Sequence, residues 1–370
     1  MTRAASPDVD GLREPQRWYP CSTEAKAPAA PAPWPSAVRP LSAPVTGAGR
    51  TVHLDEFLSL THTTALVVIA DGTLVHEWYV DGVTSEDRLL GNSATKSALA
   101  LLVGTALDLD ELDTPATDHV PELAGTGYAE VTVRQLLTMT SGVDWEEDHR
   151  DPASPASRLV ARVREGRGGL REQVLDIPPG RPPGTSYTYC TADSIVLDWV
   201  RERATGLDFA THLSRLWEAL GAERPAVVGL DAPPDKGGVA MAGGALAATA
   251  RDWARLGWLQ IDGSWGGRQL VPRAWVEASS RPWQPFLHPG RLPSTITTHA
   301  GFGYHWWPLD AGGRRVTADG MRGQFVYVDR GRRVVVVKTS AWPHADAWAD
   351  RQYRDLCYLA LPAVAEAVCP

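Results

Sequence analysis

Gly91-Asn92-Ser93-Ala94-Thr95-Lys96-Ser97-Ala98-Leu99-Ala100-Leu101-Leu102-Val103 is the stretch that decides the fold. Its apolar run predicts a helix over 93–108. Ser93 and Lys96 lie three residues apart, hence on one helical face. Lys96 can reach back to the Ser93 hydroxyl, and a hydroxyl becomes a useful nucleophile only when a base takes its proton. The Ser93 N–H sits at a helix N-terminus, where it can face an anion. One turn of chain thus offers a nucleophile, a base and half of an oxyanion hole. The same residues also read as an N-capping serine before a solvated lysine, so the surrounding chain has to decide.

Upstream, Thr64–Ala70 and Thr73–Val80 flank Asp71-Gly72 and read as a β-hairpin. Downstream, helical patterns run over 132–139, 155–165, 192–204, 209–220, 248–261 and 272–279, separated by Pro/Gly loops. Strand character returns in 303–307, 314–317, 324–328 and 333–338, before a closing helix at 345–367. Residues 1–49 form an N-terminal arm rich in Ala and Pro over 26–49, extended rather than helical. The expected organisation is one antiparallel α/β sheet subdomain from 50–92 and 300–370, with a mainly helical subdomain, 93–299, inserted.

The chain has 370 residues, is 44% hydrophobic and carries a formal charge of −8 without long single-sign runs. It can bury a large core. Its charge argues against non-specific nucleic-acid or anionic-membrane binding. Fifteen tryptophans suit both core and pocket walls. Cys21, Cys190, Cys357 and Cys369 show neither metal-type spacing nor a disulfide framework. Met1–Asp8 lacks the apolar region of a signal peptide and no run is long enough to span a bilayer, so a cytoplasmic location is expected. The histidines are scattered, and no His-Glu-x-x-His, Walker or Rossmann motif occurs. No metal and no cofactor are expected. The acidic loop Asp144-Trp145-Glu146-Glu147-Asp148 lacks calcium-loop spacing and reads as solvated.

Two distant segments give Ser93-x-x-Lys96 its weight. Pro183–Leu197 delivers Tyr189 just before a helix. Ala318-Asp319-Gly320-Met321-Arg322-Gly323-Gln324 brings two glycines that let backbone approach a ligand. Together the three resemble the penicillin-recognising serine hydrolases, in particular the branch of class C β-lactamases, family VIII carboxylesterases and 6-aminohexanoate-oligomer hydrolases. The likeness runs from about residue 60 to the C-terminus and includes Val131–Gly142 and Ala248–Gly257. It implies an α+β, β-lactamase/transpeptidase-like fold: an antiparallel sheet with flanking helices plus the inserted helical subdomain. It also implies roles. Ser93 matches the acylated serine, Lys96 the lysine sharing its proton, and Tyr189 the tyrosine that relays a proton to the leaving group. The backbone N–H groups of Ser93 and Met321 match the oxyanion hole. Whether Lys96 or Tyr189 is the acylation base stays open.

This sequence departs from the branch at several points. Thr191 stands where the Tyr-x-Asn motif has asparagine. Ala318-Asp319-Gly320 replaces Lys-Thr-Gly, so the cation that meets a β-lactam carboxylate is missing; Arg322 can offer a charge instead. Lys338-Thr339-Ser340 looks like a substitute but reads as a decoy on the next strand. His149 falls at the position of a substrate-contacting tyrosine. Trp306 and Trp307 match pocket-wall tryptophans and are equally ordinary as core. The branch's carboxylate for a substrate ammonium falls near Val160, and its pocket asparagine near Ala242, so neither side chain is present.

The resulting expectation is a serine hydrolase acting through an acyl-enzyme on small carboxylic esters or amides. Carboxylesterase activity comes first, 6-aminohexanoate-oligomer amidase second, and β-lactam turnover or a catalytically silent binding module after them. Ser93, Lys96 and Tyr189 are the candidate catalytic residues; His149, Thr191, Trp306 and Trp307 are the candidate substrate contacts. The expected partner is a small-molecule ester or amide, with no nucleic acid and no membrane, and a homodimer left open.

Overall fold

The computed structural model describes residues 9–47, 50–283, 300–343 and 351–369. Asp71 and Gly72 both adopt left-handed φ values, 44° and 77°, as a tight two-residue hairpin turn requires. They join strands Thr63–Ala70 and Thr73–Tyr79. The first of these pairs antiparallel with Val334–Ser340, and the sheet continues through Gln324–Asp329 and Arg315–Gly320 to Trp307–Pro308. One antiparallel six-stranded sheet is therefore built from two segments at opposite ends of the chain.

Both faces of that sheet are covered, which explains why its strands read as unbroken apolar runs. Side chains alternate between faces. Ala65, Val67, Ile69, Val326, Val328, Val335 and Val337 enter the main core. Leu66, Val68, Phe325, Tyr327, Val334 and Val336 enter a second core with Leu54, Phe57 and the closing helix Arg351–Val368. On the main-core face lies helix Ala250–Asp262. A Cβ on its Gly257 would stand 2.7 Å from both Val326 and Val335, so only glycine lets the helix pack this closely.

A four-stranded sheet stands apart, in the order Cys21–Ala25, Ala226–Leu230, Leu246–Ala248, Leu89–Leu90. The N-terminal region is thus more than an arm, because Cys21–Ala25 is a paired strand. Residues after it run along the edge strand Thr73–Tyr79, exchanging backbone hydrogen bonds at Pro35, Ala37 and Arg39. Leu89–Leu90 leads directly into the nucleophile segment, with Gly91 N–H donating to the Leu246 carbonyl at 2.9 Å.

The helix that follows, Ala94–Gly104, is buried at every residue. Truncating one of its leucines to alanine costs on the order of 2–5 kcal/mol, so the element carrying Lys96 is anchored by the core. Predicted helices over 132–139, 155–165, 192–204, 209–220, 248–261 and 272–279 form as Val133–Leu137, Pro155–Glu165, Thr191–Thr205, Phe209–Leu220, Ala250–Asp262 and Arg273–Ser279. The predicted 345–367 helix begins among residues outside the described ones. Residues 303–306 are irregular, not strand. His305 has φ 55°, and its ring nitrogens stand 3.2 Å from the Lys96 carbonyl and 3.3 Å from the Leu136 carbonyl. That turn tucks the loop beneath the nucleophile helix and breaks the strand the aromatic run suggested.

Candidate active site

Asn92 adopts φ 45°, a left-handed turn between Leu89–Leu90 and the helix. It presents Ser93 at the helix start, where Ser93 caps no backbone N–H with its side chain. The Asn92 amide donates to the Met321 carbonyl at 2.9 Å, tying this turn to the end of strand Arg315–Gly320. Gly320 makes that approach feasible: a Cβ there would lie 2.0 Å from the Gly91 carbonyl oxygen. Among the described residues, the N–H groups of Ser93 and Met321 have no acceptor within the protein. Both are free to receive an oxyanion.

Lys96 is buried. Its Nζ lies 3.2 Å from Ser93 Oγ, 3.0 Å from Thr191 Oγ1 and 2.6 Å from the Gly243 carbonyl. Burial lowers its pKa to about 8, against the opposing pull of Glu147. The neutral fraction near physiological pH is therefore raised well above that of an ordinary lysine, as a general base requires. A Cβ on Gly243 would come 2.8 Å from Thr191 and 3.5 Å from Lys96 Nζ, so this loop is glycine where it closes on the lysine.

Tyr189 stands before helix Thr191–Thr205, with its ring centre 5.0 Å from Lys96 Nζ. The Ser93 hydroxyl acts to lower the pKa of its phenol, a smaller effect than burial. Burial, reinforced by the Glu147 charge, pushes its pKa far above the ordinary tyrosine value, which keeps it a proton donor. The Tyr189 ring stacks on Trp307 at 5.9 Å and 8°. Phe302 and Tyr187 complete this aromatic wall, with Met139 packed in the same cluster. The Tyr187 hydroxyl is buried with no hydrogen-bond partner among the described residues.

Glu147 is the functional residue that sequence reasoning missed. It reads as one acid in a solvated loop, yet it is folded inward beneath Trp145, Thr191 and His149. It accepts from Thr191 N–H at 2.9 Å, Thr191 Oγ1 at 2.5 Å and the Trp145 indole at 2.6 Å. His149 Nε2 lies 3.2 Å from Oε1, the oxygen that also accepts from the Thr191 hydroxyl. Burial opposes its ionisation, but these partners and the charge of Lys96 outweigh that and lower its pKa to about 2. The only sequence signal was its position two residues from both Trp145 and His149.

The predicted residues are therefore distributed as follows. Ser93, Lys96, Tyr189 and Thr191 converge, with Met321 beside Asn92. Trp307 stacks on Tyr189, and His149 sits behind Glu147. Trp306 belongs to the main core, away from this wall. Val160 packs against the main core and Ala242 is buried, so neither position supplies a polar group. Asp319 hydrogen-bonds with Tyr358 of the closing helix, on the far side of the sheet. Lys338 also lies on that side, fully buried, donating to Ser340 Oγ within a cage of Phe57, Phe325 and Trp342. Among the described residues no His/Cys/Asp/Glu cluster suits a metal, and no helix is long and apolar enough to cross a membrane.

The β-lactamase family model matches residues 60–359. The chain belongs to the β-lactamase family. It is a serine hydrolase of the penicillin-recognising superfamily. A 6-aminohexanoate-dimer hydrolase from Paenarthrobacter ureafaciens is 31% identical over 308 residues, covering 81% of this chain and 78% of that protein. A Bacillus anthracis structure, provisionally named a 6-aminohexanoate-dimer hydrolase, superposes with TM-score 0.76 at 21% identity, over 96% of this chain and 99% of that one. A family VIII carboxylesterase structure follows at TM-score 0.57 and 16% identity, over 81% and 92%. This β-lactamase-family chain thus shares the fold of both, while the substrate has to be argued from its own residues.

Proposed function

We propose that this protein hydrolyses small carboxylic esters, and more slowly amides, through an acyl-enzyme on Ser93. The observation that carries the reading is the placement of Lys96 Nζ against Ser93 Oγ, with the Tyr189 ring centre 5.0 Å from the same Nζ. Neutral Lys96 takes the Ser93 proton as Oγ attacks the carbonyl carbon. The developing oxyanion meets the N–H groups of Ser93 and Met321. Tyr189 hands a proton to the leaving group and recovers one from Lys96, as histidine alone does in a Ser-His-Asp triad. Water then repeats the sequence on the acyl carbonyl.

The aromatic wall of Tyr189, Trp307, Phe302 and Tyr187 suits an uncharged portion of the acyl group. The lack of a cation at Ala318 and the turning of Asp319 to the far face weigh against β-lactam work. A second reading, hydrolysis of a linear 6-aminohexanoate-type amide, is favoured by the 31% identical relative. Hydrolysis of p-nitrophenyl butyrate by wild type, Ser93→Ala, Lys96→Ala and Tyr189→Phe tests the mechanism. Ser93→Ala is expected to abolish turnover, and the others to lower it by about 100-fold or more. Residual wild-type turnover in Ser93→Ala would refute the nucleophile.

A further inference from the structure

Gln324, 2% exposed at the start of strand Gln324–Asp329, commits both ends of its carboxamide to backbone. Its Oε1 accepts from the Ser340 N–H at 3.3 Å, and its Nε2 donates to the Ser340 carbonyl at 2.7 Å. Phe325 pairs with Lys338, so a regular ladder would next pair Gly323 with Ser340. The Gln324 side chain takes the place of that backbone pair. The same Nε2 lies 3.3 Å from the Met321 carbonyl and 3.1 Å from the Arg322 carbonyl. The two N–H groups of one amide are thus shared among three carbonyls. The turn they hold carries Arg322 at φ 62°, left-handed backbone that a non-glycine residue keeps only where its surroundings fix it. The Trp342 N–H adds a bond to the Arg322 carbonyl at 3.3 Å.

The Met321 carbonyl receives a second amide. Asn92 Nδ2 donates to it at 2.9 Å, and Asn92 is the neighbour of Ser93. One carbonyl is therefore held by amides from two segments, one of which carries the nucleophile. On the other side of Met321, Gly320 lies so close to the Gly91 carbonyl that a Cβ would not fit. Both peptides that flank Met321 are thereby fixed to the Gly91–Ser93 segment. The Met321 N–H itself has no acceptor among the described residues, so its direction is set by these neighbours rather than by a bond of its own. Closing the hairpin requires the Ser340 contacts alone and explains neither amide on the Met321 carbonyl. We propose that Gln324 and Asn92 are positioning residues that aim the Met321 N–H at the substrate's carbonyl oxygen as Ser93 attacks. This assignment rests on the hydrolase reading of Ser93 and names what aligns the two halves of its oxyanion site. Alignment matters because a donor stabilises the developing charge only from the position that charge will occupy.

Two single variants and their combination test it. Gln324→Met keeps the length of the side chain and removes its donor. Asn92→Gly removes the other amide while suiting the left-handed φ at that position, so it still decides the matter where Gln324→Met fails to fold. Each is assayed with p-nitrophenyl butyrate and with the matching thionoester, whose sulfur is a poorer hydrogen-bond acceptor than oxygen. Each single variant is expected to lower kcat for the oxygen ester by about 10- to 100-fold, with KM within about threefold. The wild-type preference for oxygen over sulfur is expected to narrow by about threefold or more. The double variant is expected to lose less than the product of the single losses, because both amides act on one carbonyl. Unchanged kcat in a folded variant of either residue overturns the assignment while leaving the hydrolase intact. So does a loss of kcat that leaves the oxygen-to-sulfur ratio at its wild-type value, since that is the mark of a structural role alone. Absence of turnover by wild type overturns the hydrolase reading and the assignment together.

Discussion

Replacing Glu147 by glutamine removes one negative charge beside Lys96 and preserves the shape of the side chain. In the wild type, Thr191 Oγ1 accepts from Lys96 Nζ and donates to Glu147, so one hydroxyl separates the two charges. Groups bridged this way stand roughly 5 Å apart, and at an effective dielectric near 20 their attraction is worth about 3 kcal/mol. The attraction favours the ammonium form, which cannot act as base. Removing it drops the Lys96 pKa by about two, from about 8 toward ~6. The assay is kcat/KM for p-nitrophenyl butyrate across roughly pH 5 to 9, where the acid limb reports ionisation in the free enzyme. The limb of the variant is expected at lower pH by about two units. Its plateau is expected to sit below wild type, because a weaker base transfers the proton less readily. A limb that stays in place, or moves to higher pH, would refute the claim that Glu147 sets the charge of the base.

Three further outcomes follow from the same geometry. Thr191→Val removes an acceptor of Lys96 and a donor to Glu147, and is expected to lower kcat by about 10- to 100-fold with little change in KM; unchanged kcat would place Thr191 outside the proton path. Lys338→Met, on the far side of the sheet, is expected to leave ester turnover within about twofold and to hold or raise Tm, since an apolar chain suits that aromatic cage. A large loss of activity would contradict its separation from the site. Glu147 has a folded pKa below its unfolded value, so its contribution to stability is present above about 4.5 and lost as pH falls toward 2. Acid unfolding of Glu147→Gln, followed by circular dichroism, is expected to depend less on pH over that window than wild type; identical slopes would deny the carboxylate its stabilising partners.

The elements legible in the sequence were those whose signal is local. Ser93 and Lys96 share a helical face by spacing alone, and Asp71-Gly72 marks its hairpin without help from the rest of the chain. Tyr189 is different: a loop before a helix is all its surroundings show, and its role comes from the family resemblance. Glu147 was invisible for a physical reason: nothing within Asp144–Asp148 distinguishes the acid that turns inward from those that face water. Thr191, more than forty residues away, supplies two of the hydrogen bonds that hold it there. Strand Cys21–Ala25 is short and mostly polar, and it exists because Ala226–Leu230 offers it a register. Residues 303–306 misled because aromatic runs favour strands, whereas His305 bends this one under the nucleophile helix. Trp306 and Trp307 are adjacent and identical in type, yet one enters the main core and the other faces Tyr189.

The central claim is that the Ser93 hydroxyl is the atom acylated, and peptide-level mass spectrometry of enzyme quenched during turnover of a slow ester tests it most directly. The account predicts one acyl adduct on the peptide containing Ser93, absent in Ser93→Ala and strongly reduced in Lys96→Ala. An adduct on any other residue, or turnover with no adduct even on rapid quenching, would contradict it.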